Sequence, residues 1–166
     1  MSSNENLRTD RMAFYEGDVE RIDGELDGFL ELSGARAALL IDKEGHLVTR
    51  RGESIQSSAE TISALVAGSF AATREMARLL GEEEFATMFH QGQRDNIQIS
   101  MVGERSLLAI VFDDRTNLGL VRFYAQECTR RLREIMLEVS NRSHDGGPTL
   151  ADDFSSSAAA ALDELF

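Results

Sequence analysis

The segment Ser106–Phe112, with the sequence Ser-Leu-Leu-Ala-Ile-Val-Phe, is the feature that most limits how this chain folds. Its apolar residues do not alternate with polar ones, so it predicts a strand that is buried on both faces. A strand of that kind needs neighbouring elements that cover it. The 166 residues, 42% of them hydrophobic, are enough for one domain with such a core.

Further strands are predicted around this segment. Residues 85–90 and Asn96–Val102 precede it, and short glycine-containing links favour an antiparallel meander of the three. In the middle strand, Ile97, Ile99 and Met101 alternate with polar residues, which is typical of a sheet with one wet face. Residues 37–41 and 46–49 flank a turn at 42–45 and predict a hairpin.

Three helices are predicted from apolar spacing. An acidic amphipathic helix covers residues 14–32, a long helix begins at the capping-box spacing of residues 57–60 and ends before Gly81, and a last helix covers 117–139. The predicted class is α+β: a five-stranded antiparallel sheet with one long helix between strands 2 and 3 and terminal helices packed on it. We expect a flexible leader at 1–13, the domain at 14–140 and an acidic tail at 141–166.

Composition narrows the function. The net charge of −12 and the absence of a basic, aromatic-rich block argue against a nucleic-acid partner. No apolar run approaches the length of a membrane span, so no membrane insertion is expected. The single cysteine, Cys128, suits a reducing compartment, and we expect a cytoplasmic protein.

No catalytic or metal-binding pattern emerges. A phosphate-binding glycine loop is missing, and His46, His90 and His144 have no second ligand at metal-binding spacing. Cys128 lies in the apolar stripe of the last helix, where burial would raise its pKa. We therefore expect no cofactor, no metal and no active site. The polar segment 113–119 is interpreted as a strand exit followed by a helix cap at Thr116 or Asn117, with a partner-contacting site as the alternative.

The long central helix carries the main functional hypothesis. A helical wheel places a core arc on one side, formed by Ile62, Leu65, Val66, Met76, Ala77 and Leu80. Small residues lie opposite, with Glu75 further along: Ala64, Ala67, Gly68 and Ala71. The alanines alone could be present because alanine is a good helix former. A glycine in the middle of a helix, however, costs about 1 kcal/mol relative to alanine, so Gly68 favours the interpretation that another backbone packs there. We predict that a second copy packs there as a symmetric dimer. On the last helix, Leu120, Phe123 and Leu137 lie off the core stripe and favour another contact.

Several segments resemble the roadblock domain family, and within it the bacterial MglB group, partners of the Ras-like GTPase MglA. They are residues 39–45, 65–68, 81–82, 89–92 and, most specifically, 112–122, Phe-Asp-Asp-Arg-Thr-Asn-Leu-Gly-Leu-Val-Arg. The resemblance implies a homodimer that binds one GTP-loaded GTPase at a cell pole in polarity and motility, and accelerates hydrolysis. A scaffold of the same fold without effect on hydrolysis is the alternative, and an enzyme with an unrecognised site is a remote one.

The resemblance also bears on individual residues. It implies that the activator re-orders the GTPase's own switch residues, so that none of Arg74, Arg78, Arg115 and Arg122 acts as an arginine finger. The end of the chain, Leu162-Asp163-Glu164-Leu165-Phe166, is similar to the acidic-hydrophobic end of MglB tails. By that resemblance, Leu162, Leu165 and Phe166 make a second contact with the GTPase.

Overall fold

A computed structural model describes residues 14–55 and 58–145. The elements are α1 (Glu16–Ser33), β1 (Ala37–Asp42), β2 (Leu47–Gly52), α2 (Ala59–Leu79), β3 (Thr87–Gln91), β4 (Asn96–Val102), β5 (Ser106–Phe112) and α3 (Leu118–Asp145). The fold is α+β with the predicted element order. Tyr15–Met136 form one compact unit, and the end of α3, from Leu137, belongs to a second unit that is helical up to Asp145. The last helix is predicted to end at residue 139, and that end is wrong because the helix continues to Asp145.

The five strands form one antiparallel sheet in the order β2-β1-β5-β4-β3. The apolar β5 is its central strand, because Ala109 pairs with Leu39 of β1 on one side and with Ile99 of β4 on the other. Six of the seven β5 residues are buried, so both faces of the strand are covered, which explains why β5 lacks polar alternation. Strand β3 pairs only with β4 and forms one edge of the sheet.

Helix α2 covers one face of the sheet. Its residues Val66, Ala67 and Phe70 belong to a buried cluster with alternate residues of the central strands. The strand members of that cluster are Ala37, Leu39, Ile41, Ile99, Leu107 and Ala109. Because side chains alternate along a strand, the intervening buried residues of β1 and β5 point to the opposite face.

That opposite face is covered as well, which corrects one prediction. Gln98 of β4 is only 2% exposed, and Ser100 is also buried. Both line a cleft with Ala125 and Thr129 of α3. The polar side of β4 is predicted from the sequence to face solvent, and that prediction is wrong because α3 lies over it with small side chains.

Candidate interaction surface

Helix α2 begins and ends at residues whose chemistry fixes its length. The Ser58 hydroxyl accepts a hydrogen bond from the Thr61 amide at 3.3 Å, so Ser58 is the N-cap. At the other end, Gly81 adopts a left-handed conformation with φ of 86°, and the Glu82 amide donates to the Ala77 carbonyl at 3.0 Å. The predicted stop at Gly81 is confirmed.

The predicted core arc of α2 is rotated relative to the observed one. Leu65, Met76 and Leu80 are predicted in the core, but they are 68%, 56% and 83% exposed. Ala67 is predicted on the outer side, yet it is 6% exposed and belongs to the buried cluster. The predicted arc was centred on the largest apolar residues of the helix. In the structure, two small residues, Ser63 and Ala67, also face the sheet.

The β1–β2 turn of the same chain approaches Ala64 and Ala67, of which Ala67 is buried and Ala64 is exposed. A Cβ atom added at Gly45, in the β1–β2 turn, would lie 2.9 Å from the Ala64 Cα and 3.5 Å from the Ala67 Cβ. The hairpin turn thus lies so close to the helix that Gly45 itself has no room for a side chain. For the buried Ala67 the approaching backbone is the chain's own, whereas contact of the exposed Ala64 with a second copy stays a prediction.

The predicted interface residues on α2 other than Ala67 are exposed, Ala64 among them. Gly68, Ala71 and Glu75 are exposed, and a Cβ atom added at Gly68 would meet nothing within 4 Å. Nothing in the described chain therefore requires a glycine at this position. We call the exposed apolar line on this side of α2 the outer stripe; it comprises Leu65, Gly68, Ala72, Met76 and Leu79.

The large members of the outer stripe were missed from the sequence. Leu65, Met76 and Leu79 recur at helical spacing and leave 56% to 72% of their surfaces exposed. The sequence carried no clear signal for this, because these residues fall in or beside the broad apolar arc of the wheel, and only the packing shows which part of that arc meets the sheet. A second, smaller apolar patch lies on α3, where Leu120 and Phe123 are exposed as predicted, and Leu137 is exposed farther along the same helix.

A network of charged side chains joins four chain segments at one end of the sheet. Arg115 contacts Glu53 through two hydrogen bonds, Nη1–Oε1 at 2.8 Å and Nη2–Oε2 at 3.1 Å. Its Nε also donates to Asp113 at 3.0 Å. Arg36 contacts Glu53 at 3.0 Å and Asp95 at 2.6 Å. The planar guanidinium groups suit this shared, two-pronged pairing.

The network shifts the pKa values of Glu53, Asp113, Arg36 and Arg115. Hydrogen bonds from Arg115 and Arg36 lower the pKa of Glu53 to about 2. The same contacts with Glu53 and Asp113 raise the pKa of Arg115. These groups stay ionised at neutral pH, and no pair among them can divide acid and base roles.

The segment after β5 has the structural role that was predicted for it. The Asn117 side chain accepts a hydrogen bond from the Leu120 amide at 3.0 Å, so Asn117 caps α3. The Thr116 hydroxyl instead donates to the Ser33 carbonyl at 2.6 Å and ties this loop to the end of α1. The capping role assigned to Thr116 or Asn117 therefore falls to Asn117.

Other candidate chemical groups have ordinary surroundings. Cys128 is buried, and desolvation raises its pKa to about 12, as expected of an inert core thiol. His46, predicted to lack nearby ligands, does lie near two carboxylates: ligand atoms of Asp42, Glu44 and His46 fall within 4.8 Å of one another. Asp42 accepts hydrogen bonds from the Glu44 and His46 amides, so its first role is to shape the turn.

Some predicted features lie outside the described residues. They are the leader at 1–13 and the tail contact at Leu162, Leu165 and Phe166. In the described part of the chain, no helix combines the length and apolar character that crossing a bilayer requires.

Comparison with known proteins places this chain in a family. Residues 22–112 match the model of the Roadblock/LC7 domain. Gliding protein MglB from Thermus thermophilus is 35% identical, with a TM-score of 0.71 over 76% of this chain and 96% of that one. Myxococcus xanthus MglB is 32% identical with the same TM-score and coverage.

An MglB structure with a tetrameric arrangement is 34% identical, with a TM-score of 0.72 over 76% of this chain and 96% of that one. A comparison with curated protein sequences gives no significant match. The family match covers more than half of the chain, and the element order and sheet topology agree with it. The chain belongs to the Roadblock/LC7 domain family.

Proposed function

We propose that this protein is a homodimeric regulator that activates GTP hydrolysis by a small Ras-like GTPase of the MglA type. Its setting would be bacterial cell polarity and motility, in the cytoplasm at a cell pole. The observation that carries the proposal is the outer stripe of α2, which leaves Leu65, Met76 and Leu79 exposed in a family whose similar members include a gliding protein, MglB.

The outer stripe suits self-association. Two copies that pack along α2 would bury the exposed leucine and methionine side chains, while Gly68 would allow the two backbones to approach closely. The tetrameric arrangement of a similar MglB supports association of like chains. We therefore place the dimer contact on the whole outer stripe, with Gly68 at its centre, and not on the small residues alone.

The GTPase would meet the composite surface that the dimer forms, including Ala71 and Glu75. The protein would act without an active site of its own, by re-ordering the switch residues of its partner. Two arginines already have carboxylate partners: Arg115 is held by Glu53 and Asp113, and Arg78 is held by Glu75. Withdrawing either for use as an arginine finger would break those contacts, which argues against that role for these two arginines.

A scaffold that recruits the GTPase without changing hydrolysis is the second candidate. The apolar patch at Leu120 and Phe123 favours it, because a scaffold needs a surface for another protein besides the GTPase. For the tail, we propose that Leu162, Leu165 and Phe166 make a second contact on the GTPase.

Single-turnover GTP hydrolysis separates these functions. The MglA-type GTPase from the same genome is loaded with GTP and mixed with increasing amounts of this protein. An activator raises the hydrolysis rate until it saturates. A scaffold binds the GTP-loaded protein, as measured by calorimetry, but leaves the rate unchanged. Nucleotide turnover by this chain alone would contradict both candidates and indicate an enzyme.

A further inference from the structure

A groove runs beside α2 on the face of the sheet that this helix covers. It has a volume of about 710 Å³ and lies between the second half of α2, the loop before β3 and the β4–β5 turn. We call it the side groove. Its floor is apolar and already packed: Phe70 and Phe85 stack with ring centroids 5.2 Å apart, and Met101 and Leu107 lie beside them.

The rim of the side groove carries four carboxylates. Glu82, Glu83 and Glu84 follow α2, and Glu104 comes from the β4–β5 turn. None of these four forms an ion pair with any residue in 14–55 or 58–145. They differ from the acidic residues of the charged network, whose carboxylates are matched by arginines.

The cations on the groove do not balance these carboxylates. Glu75 and Arg78 pair with each other, with the Arg78 Nε 3.0 Å from the Glu75 Oε2, and so contribute little net charge. Lys43 and Arg74 remain. The groove thus keeps an excess of negative charge around an apolar floor, which complements a segment with basic side chains flanking an apolar one.

The side groove is continuous with the proposed partner surface, because Ala71 and Glu75 line it. We propose that the GTPase inserts a basic segment, anchored by an apolar side chain, into the side groove. This proposal rests on the proposed function. The apolar anchor packs on Phe85 and Met101, the partly exposed side chains of the floor, and supplies affinity there. The basic side chains set orientation and approach against Glu83 and Glu84.

A charge-reversal pair tests the proposal. Glu83→Lys/Glu84→Lys reverses the groove rim, and Glu20→Lys/Glu31→Lys makes the same change in net charge on exposed positions of α1. Binding to the GTPase loaded with a non-hydrolysable GTP analogue is measured by calorimetry at roughly 50 and 500 mM salt. We expect the groove variant to raise Kd about tenfold at low salt and much less at high salt, with the α1 variant within about twofold of wild type.

Each other outcome contradicts the proposal. If both variants bind like the wild type, the GTPase does not use the groove, while the proposed function stands. If both weaken binding equally, the effect is the overall charge of the protein and not the groove. If the wild type itself binds no GTPase, the proposed function fails and the groove proposal fails with it. Thermal melting of both variants checks that a loss of binding is not a loss of fold.

Discussion

At the scale of single residues, two alanines four positions apart on α2 have opposite surroundings. Ala67 lies in the buried cluster and contacts the hairpin turn, whereas Ala71 is exposed beside the side groove. Residue type alone does not separate them, since both are small and equally suited to a helix. Their difference comes from the sheet and the Gly45 turn, which a helical wheel does not include.

Arginine substitutions at these two alanines should therefore differ. Ala67→Arg places an unpaired charge in the core and should cost about 3 kcal/mol or more, enough to unfold much of the protein. Ala71→Arg should leave the melting temperature nearly unchanged and weaken GTPase binding. Circular dichroism melts and calorimetry measure both effects. Equal destabilisation by the two substitutions would contradict the observed rotation of α2.

At the scale of elements, the outer stripe of α2 should determine the oligomeric state. Leu65→Ser/Leu79→Ser removes two exposed leucines that contribute nothing to the described core. We expect this variant to remain folded but to sediment as a monomer, because the buried apolar area of the dimer is lost. Leu120→Ser/Phe123→Ser on α3 is the matched control and should stay dimeric. A dimer that survives the α2 change would place the interface elsewhere.

The elements themselves were largely predictable from local patterns. Apolar continuity predicted that β5 is buried on both faces, and the glycine at 81 located the end of α2, because both signals depend on neighbouring residues only. The rotation of α2 and the burial of Gln98 were not predictable. Both depend on which helix covers which strand, and that follows from packing between segments far apart in the chain.

The same limit applied to the functional surface. The sequence indicated that another backbone approaches α2, and Gly68 and Ala71 remain exposed as that hypothesis requires. It assigned Ala67 to a second copy, although Ala67 is buried beside the hairpin turn of the same chain. It missed Leu65, Met76 and Leu79, because large apolar residues were assumed to face the core.

At the scale of the whole molecule, the charged network links segments that are distant in the sequence. It should therefore make the stability of the fold depend on pH. The folded pKa of Glu53, about 2, lies below the ordinary value of 4.5, so its contribution is complete above about pH 4.5 and is lost as pH falls toward 2. The melting temperature of wild type should exceed that of Glu53→Gln at neutral pH, and the difference should vanish near pH 2. Glu31→Gln on α1 is the control; a difference that persists unchanged at pH 2 would contradict this role of the network.

Deletion of the end of the chain tests whether the protein contacts the GTPase at two separate places, the α2 surface and the tail. Removal of residues 158–166 takes away Leu162, Leu165 and Phe166, while the outer stripe on α2 stays intact. We therefore expect the truncated protein to sediment as a dimer and to bind the GTP-loaded GTPase about tenfold more weakly, since a linked second contact adds effective concentration. Leu162→Ser/Leu165→Ser/Phe166→Ser keeps the length and should reproduce the loss. Unchanged affinity in both variants would reduce the tail to a solubilising extension, and the α2 surface would then account for the whole interaction.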